Sequence, residues 1–315
     1  MSQSQLINSR TCGTTLGDFR GFFFLRKAAS VLASVFLLFS VISCTTLPQK
    51  EVPVQKEVPV QKETLPSCSS ISWTKVKSKG QIEYALLYDK SIPVRVHVVK
   101  VNLLSGVQPV TYPSGSEQKD SKLKALTTQE FAKNTNAAIA VNASPFGCSR
   151  NPLSRIFKGK RTITGLHFAD GTMFSPPVEK YCALVIKQHK DDGTKFSAQI
   201  EESQSVPETQ DTYIALGGFF QILRDSEIIE YRRDIKDART AAGITTDGTV
   251  LYLMTVEKNS KSTGLSYPDC ALLFKNLGCT NAMQFDGGSS AQMVVEGKTV
   301  TKMYSVPQAN HLGFK

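Results

Sequence analysis

The residues Gln284-Phe285-Asp286-Gly287-Gly288-Ser289-Ser290-Ala291 put a carboxylate at the end of an apolar approach, with two glycines and two hydroxyls directly behind it. Glycines let a ligand come close to the backbone, and turn amides with neighbouring hydroxyls suit an anion. The same letters also spell an ordinary Asp-Gly turn, so the chemistry depends on what else converges there. Arg239 lies among small residues in Asp237-Ala238-Arg239-Thr240-Ala241-Ala242-Gly243. Its planar guanidinium can hold a phosphate through paired hydrogen bonds, or pair locally with Asp237. Asn142 ends the apolar stretch Ala140-Val141 and either orients a sugar hydroxyl or caps a turn. Phe219 and Phe220 could stack on a sugar ring, with core packing the expected use. His97, His167, His189 and His311 are each acid–base candidates, but a lone histidine beside strand residues is expected to be structural or solvated.

The elements that must position these groups are mostly short strands. Val94–Val101 alternates, 137–141 and 184–187 are apolar runs, and Val250–Val256 is rich in β-branched residues. Asp170-Gly171, Asp192-Gly193 and Asp247-Gly248 read as hairpin turns. Helical patterning covers Leu123 to Asn134, capped by Thr127 or Thr128, and Tyr267 to Leu277, opened by Ser266 and closed by Gly278. The expected class is therefore α+β, an antiparallel or mixed β-sheet core with a few helices in a single domain over residues 68–315.

Ahead of that domain, Arg20, Arg26 and Lys27 precede an apolar run from Ala28 to Ile42 and then Ser43-Cys44. This reads as a lipoprotein signal peptide over residues 1–43, with lipidation at Cys44. Residues 44–67 carry a repeated Gln-Lys-Glu-Val-Pro-Val hexamer and read as an extended stalk, because its prolines oppose a helix and its composition cannot fill a core. The expected location is exported, membrane-anchored and on the bacterial cell envelope, at a periplasmic or surface face. Of the net charge of +10, residues 1–43 hold four basic groups and one acidic, so +7 remains on the rest; that modest excess suits anionic lipid or phosphate-bearing glycans, and scattered lysines explain it equally well. No nucleic-acid partner is expected. Of the 7 cysteines, a structural disulfide is expected among Cys148, Cys182, Cys270 and Cys279, with pairing left open. No Cys or His spacing suggests zinc, and no cofactor is expected beyond a divalent cation that Asp286 and nearby carbonyls would suit.

Taken in order, these segments resemble the phosphodiester glycosidase family over residues 121–315. Val141–Phe146 is similar to the family's strand end of Asn, two glycines and aromatics; here Ala143-Ser144-Pro145 replaces the glycine pair. Leu216–Gln221, with Gly218, resembles its glycine-rich strand. Arg239-Thr240-Ala241-Ala242-Gly243 matches its Arg-Thr-Ala-x-Gly motif. Glu257 sits where the family places an acid after a strand, followed here by Lys258, and Asp286–Ser290 resembles its Asp-Gly-Gly-Gly-Ser signature with Ser289 at the third glycine. The resemblance implies a hydrolase that cleaves the bond between a sugar's anomeric carbon and a phosphodiester. It implies catalytic roles for Asp286, Arg239 and Glu257, and substrate binding by Asn142, Thr240, Gly218, Gly287, Gly288, Ser289 and Ser290. The implied substrate is a phosphoglycan or other sugar phosphodiester. Two other readings stand beside it: a surface lipoprotein that binds a glycan or host ligand on a catalytically decayed domain, and an envelope structural protein.

Overall fold

The computed structural model describes residues 65–315 apart from 67, 69–70, 79, 90, 116–122, 148–158, 209 and 232–234. The signal segment, Cys44, most of the stalk and Cys148 lie outside the described residues. Among those described, no helix is long and apolar enough to cross a membrane.

Three sheets supply most of the structure, and every strand pair is antiparallel. The largest has eight strands in the order Thr74–Lys75, Ile82–Asp89, Val94–Asn102, Val250–Val256, Arg239–Ile244, Asn281–Gln284, Gln221–Arg224 and Glu227–Ile228. The second runs Thr172–Ser175, His167–Ala169, Thr212–Gly217, Ala183–Gln188 and Phe196–Glu201. The third runs Lys298–Thr299, Met293–Val295, Ile139–Asn142, His311–Phe314 and Pro109–Tyr112. A smaller sheet pairs Lys160–Ile163 with Leu123–Lys124 and Phe146–Gly147.

The main core lies where inward faces of the three large sheets meet: Val99, Leu251 and Ala242 from the first, Leu184 and Leu216 from the second, Val141 and Leu312 from the third. A strand covered on both faces cannot alternate polar and apolar residues, which is why Val250–Val256 reads as one continuous apolar run. The outer face of the eight-stranded sheet is covered by helix α2, Tyr267–Asn276, through Cys270, Leu273 and Phe274. Helix α1, Thr128–Thr135, lays Phe131 on Ala140 and Val294 of the third sheet.

Both helices start on a reciprocal cap: Thr127 with Glu130 for α1, Ser266 with Asp269 for α2. The helix expected from Leu123 begins only at Thr128, because Leu123 and Lys124 are drawn into pairing with Arg161 and Lys160. Asp170 and Gly171 both take positive φ, 49° and 72°, and close a hairpin as expected. The described cysteines, Cys68, Cys182, Cys270 and Cys279, are all free thiols, so three of the four among which a disulfide was expected are unpaired, and the fourth, Cys148, lies outside the described residues. Cys182, Cys270 and Cys279 are instead used as small apolar core residues, and burial pushes the first two thiols up to about 12.

Candidate active site

The Asp286 turn is built by an extra residue in the sheet. Phe285 N donates to Thr240 O at 2.8 Å and Gly288 N donates to Ala238 O at 2.8 Å. Two residues, Asp286 and Gly287, therefore stand opposite the single Arg239, a bulge that turns the chain out of register. Gly287 makes this approach feasible, since a Cβ there would lie 2.7 Å from Ala238 O. Released from the eight-stranded sheet, Asp286 N donates to Ala143 O of the third sheet's margin at 2.9 Å. The carboxylate thus sits at the junction of two sheets.

Asn142 fixes that junction. Its Nδ2 donates to the Asp286 carbonyl at 2.7 Å, while its Oδ1 accepts from Thr240 Oγ1 at 2.7 Å and from Gln292 N at 3.1 Å. Asn142 and Thr240 are both fully buried, so these two expected binding residues act here on the protein, holding Asp286 in place. Each such bond contributes about 1 kcal/mol net, and losing a partner inside the core costs more.

The Asp286 side chain is 4% exposed, and burial pushes its carboxyl up to about 7 against the opposing pull of the Ser290 hydroxyl and the Gly287 amide. Ser290 Oγ makes no hydrogen bond of full geometry, so its pull on the carboxylate is a weak polar one. Other buried polar atoms without protein partners connect to the same strand end: Ser144 Oγ next to Ala143, and Oδ1 of Asn310, a residue whose backbone carbonyl accepts from Ala143 N at 3.4 Å. Buried polar atoms are nearly always paired inside folded proteins, so these orphans and the raised carboxyl make the sheet junction the candidate site.

Arg239 follows a different direction. Its Nε donates to Leu265 O at 3.1 Å and one terminal nitrogen donates to Ile235 O at 2.6 Å, while the guanidinium lies 4.2 Å from the Tyr267 ring centroid. Among the described residues no ion pair joins Arg239 to Asp286, nor to Asp237, the local partner offered as the alternative to a phosphate. Asp237 Oδ1 is instead 3.3 Å from Lys258 Nζ. Arg239 and Asp286 stand opposite each other across adjacent strands, and their side chains keep separate partners.

Glu257 has no solvent exposure and is saturated with donors: His97 Nε2 at 2.8 Å, Asn259 Nδ2 at 2.8 Å and Lys302 N at 2.8 Å, with Arg95 Nε at 3.4 Å. Burial alone would raise its carboxyl, but the hydrogen bonds from His97, Lys302 and Asn259 outweigh burial and hold it near 2. His97 passes the network on to Tyr84 through Nδ1 at 2.9 Å. A carboxylate so occupied is a poor proton acceptor and a good girder.

In the glycine-serine turn, the Gly288 and Ser290 amides already bond to Ala238 O and Gly287 O, and the Gly287 amide serves the Asp286 carboxylate. That leaves Ser289, which is exposed, as the turn residue open to an anion. Gly218 is needed for close packing: a Cβ there would meet Met283 Cε at 2.2 Å and Gln284 O at 2.4 Å. Two histidines support the site from behind. His167 bonds Pro113 O at 2.9 Å and Asn310 Nδ2 at 3.1 Å, and burial lowers it to about 4; His311 stacks on Phe131 and reaches Gln308 Oε1 at 3.0 Å. Ser144 and Asn310 were not singled out from sequence; only the polar interruption after an apolar strand hints at Ser144. Among the described residues no group of three or more His, Cys, Asp or Glu comes together to hold a metal ion.

Comparison with known proteins gives the chain's family and fold. Over 185 residues the chain is 24% identical to the SPbeta prophage-derived uncharacterized protein YomE of Bacillus subtilis (strain 168), covering 56% of this chain and 27% of that protein. It thus spans about a quarter of that relative's length. The fold resembles a hypothetical protein from Synechocystis, with a TM-score of 0.53 at 12% identity, covering 78% of this chain and 64% of that one. It also resembles the zebrafish N-acetylglucosamine-1-phosphodiester alpha-N-acetylglucosaminidase catalytic domain, solved auto-inhibited by its pro-peptide, with a TM-score of 0.52 at 18% identity over 78% of this chain and 87% of that one. The sequence profile described as phosphodiester glycosidase matches residues 135–315, the stretch that holds Asn142, Arg239, Glu257 and Asp286, and on that match the chain belongs to the phosphodiester glycosidase family.

Proposed function

We propose that this protein hydrolyses a sugar 1-phosphodiester, breaking the bond between the anomeric carbon and the phosphate oxygen. Water adds to the anomeric carbon and the phosphomonoester departs with the bonding electron pair, giving a free sugar. A phosphomonoester is a good leaving group, so the step needs less help from a general acid than cleavage of an ordinary glycoside. The observation that carries this reading is the buried Asp286 carboxyl, raised to about 7 among unpaired polar atoms at the end of two sheets. With that affinity for a proton, ionised Asp286 is a competent base for the attacking water near neutral pH.

Arg239, backed by the Tyr267 ring, holds the phosphate together with Ser289, and its charge offsets the charge that grows on the leaving oxygen. Asn142 and Thr240 position Asp286, and Glu257 braces the strand end beside Arg239, since Val256 pairs with Arg239. Purified protein and its Asp286→Asn and Arg239→Ala variants should be compared on a sugar 1-phosphodiester, following release of free sugar. Undiminished turnover in both variants removes these residues from the mechanism.

The N-terminal residues extend the proposal. Lipidation at Cys44 and a stalk confine the enzyme to substrates within reach of a membrane, which favours an envelope or surface glycan. Incorporation of a labelled fatty acid that persists in Cys44→Ser would dismiss the anchor.

A further inference from the structure

Arg239 is oriented by the chain just ahead of it, and a second cation pins that chain from outside. The Leu265 carbonyl accepts from both Asp237 N and Arg239 Nε, each at 3.1 Å, and Leu265 N returns a bond to Asp237 O at 3.0 Å. The Ile235 carbonyl accepts from a terminal nitrogen of Arg239 at 2.6 Å. Residues 235–237 therefore form a frame around the guanidinium. Lys258 reaches across to the same three residues: its Nζ donates to Lys236 O at 3.0 Å and lies 3.3 Å from Asp237 Oδ1. One ammonium serves a carbonyl and a carboxylate at once, which its three donors allow.

The two ends of this contact differ in firmness. Lys258 directly follows Glu257, whose oxygens are fixed by His97, Asn259 and Lys302, and it pairs with Thr263 in the hairpin of Lys258–Asn259 with Ser262–Thr263. Gly264, at φ 83°, brings that hairpin hard against the frame, since a Cβ there would lie 2.5 Å from Asp237 O. The anchor is thus well braced. Ile235 and Lys236, by contrast, are exposed, so little packing holds the carbonyls that meet Arg239 and Lys258. A segment with few buried contacts depends on its polar ties.

We propose that Lys258 is a positioning residue for phosphate binding, acting on Arg239 through the Ile235–Asp237 frame. The inference rests on the phosphate role given to Arg239 above and names a residue that serves it. The frame engages Nε and one terminal nitrogen, so the phosphate is met from the other terminal nitrogen. An arginine ordered before its ligand arrives has less freedom to lose on binding. Lys258 also engages the Asp237 carboxylate, which keeps that charge on the outer side of the frame.

The test follows the Nε–H resonance of Arg239 by NMR while inorganic phosphate is titrated into the purified protein. In Lys258→Met that proton should exchange with solvent at least about threefold faster than in wild type, and the Kd for phosphate should rise about threefold. Lys258→Arg, which keeps a cation on both partners, should return both values to within about twofold of wild type. Asp237→Asn separates pinning from charge. It makes the surroundings of Arg239 more positive, which alone would tighten phosphate binding, whereas a loosened frame should weaken it about twofold. Where wild type binds phosphate through Arg239, an unchanged Kd in Lys258→Met or tighter binding in Asp237→Asn overturns the proposal. Failure of the phosphate reading itself shows differently, as equal phosphate binding by wild type and Arg239→Ala. In that event the exchange rate decides: faster exchange in Lys258→Met supports the pinning of Arg239, and unchanged exchange overturns it.

Discussion

Replacing Asp286 by Asn should make the protein more stable at alkaline pH while silencing it. The carboxyl is raised from its ordinary 3.8 to about 7 because the fold buries it. A group whose folded value is raised binds more protons in the native state than in the unfolded one across that window. Stability therefore falls as pH rises from about 4 to about 7 and stays at the lower level above it. A rise of roughly three pH units at about 1.4 kcal/mol each puts the cost of ionised Asp286 at about 4 kcal/mol, an upper figure for a site that can relax. Asn keeps the shape without the charge. Thermal unfolding of wild type and Asp286→Asn at pH 4 and pH 8 should show little difference at the lower pH. At the higher pH the midpoint of the variant should be raised by several degrees, up to on the order of 10 °C. A variant that is less stable at both pH values, or a difference that does not change with pH, would refute the assignment of a buried, proton-holding carboxyl.

Glu257 should behave in the opposite sense. Its folded value is held near 2 below an ordinary 4.5, so its stabilisation is present above about pH 4.5 and is lost as pH falls toward 2. Glu257→Gln should cost roughly 2–3 kcal/mol near neutral pH in denaturant unfolding, leaving His97 and Arg95 poorly paired, and should retain measurable turnover below its midpoint; complete loss of turnover at unchanged stability would show direct chemistry instead. Gly218→Ala should lower the unfolding midpoint by several degrees, because the new methyl meets Met283 Cε and Gln284 O at 2.2 Å and 2.4 Å. Asn142→Leu removes three hydrogen bonds at the sheet junction and should cost at least about 2 kcal/mol, with kcat falling more than KM as Asp286 loses its fixed carbonyl; an effect confined to KM would return Asn142 to substrate contact. The kcat/KM of wild type should rise with pH and level off above about 7, as ionisation of Asp286 supplies the base.

Much of the fold was legible because its strands are buried on both faces. Val250–Val256 announces itself by composition, and α2 by its Ser266 cap and the closing Gly278. The start of α1 was not, since Leu123 leaves the helical pattern only to meet a partner strand nearly forty residues on. At the site, the Asp286 turn and Arg239 stood out as types and spacings, whereas their wiring is a property of distant contacts. Asn142 lies 144 residues from the carbonyl it holds. Glu257 owes its expected catalytic role to resemblance, and sequence gives no sign that His97 and Lys302, 160 and 45 residues away, both bond one of its oxygens. Phe219 and Phe220 illustrate the same limit: their contacts with Tyr181, Tyr231 and Tyr267 join segments far apart in sequence. The cysteines misled for a related reason: composition does not say which thiols meet, and those among the described residues stay free.

The most direct test follows free sugar and phosphomonoester released from a sugar 1-phosphodiester by wild type and Asp286→Asn at pH 7.5. Steady release of both products by wild type, reduced at least about a hundredfold in a variant that remains folded, is the expected result. Equal release by the two proteins would contradict the role of Asp286, and saturable binding by wild type with no product would make this a binding protein on a hydrolase fold.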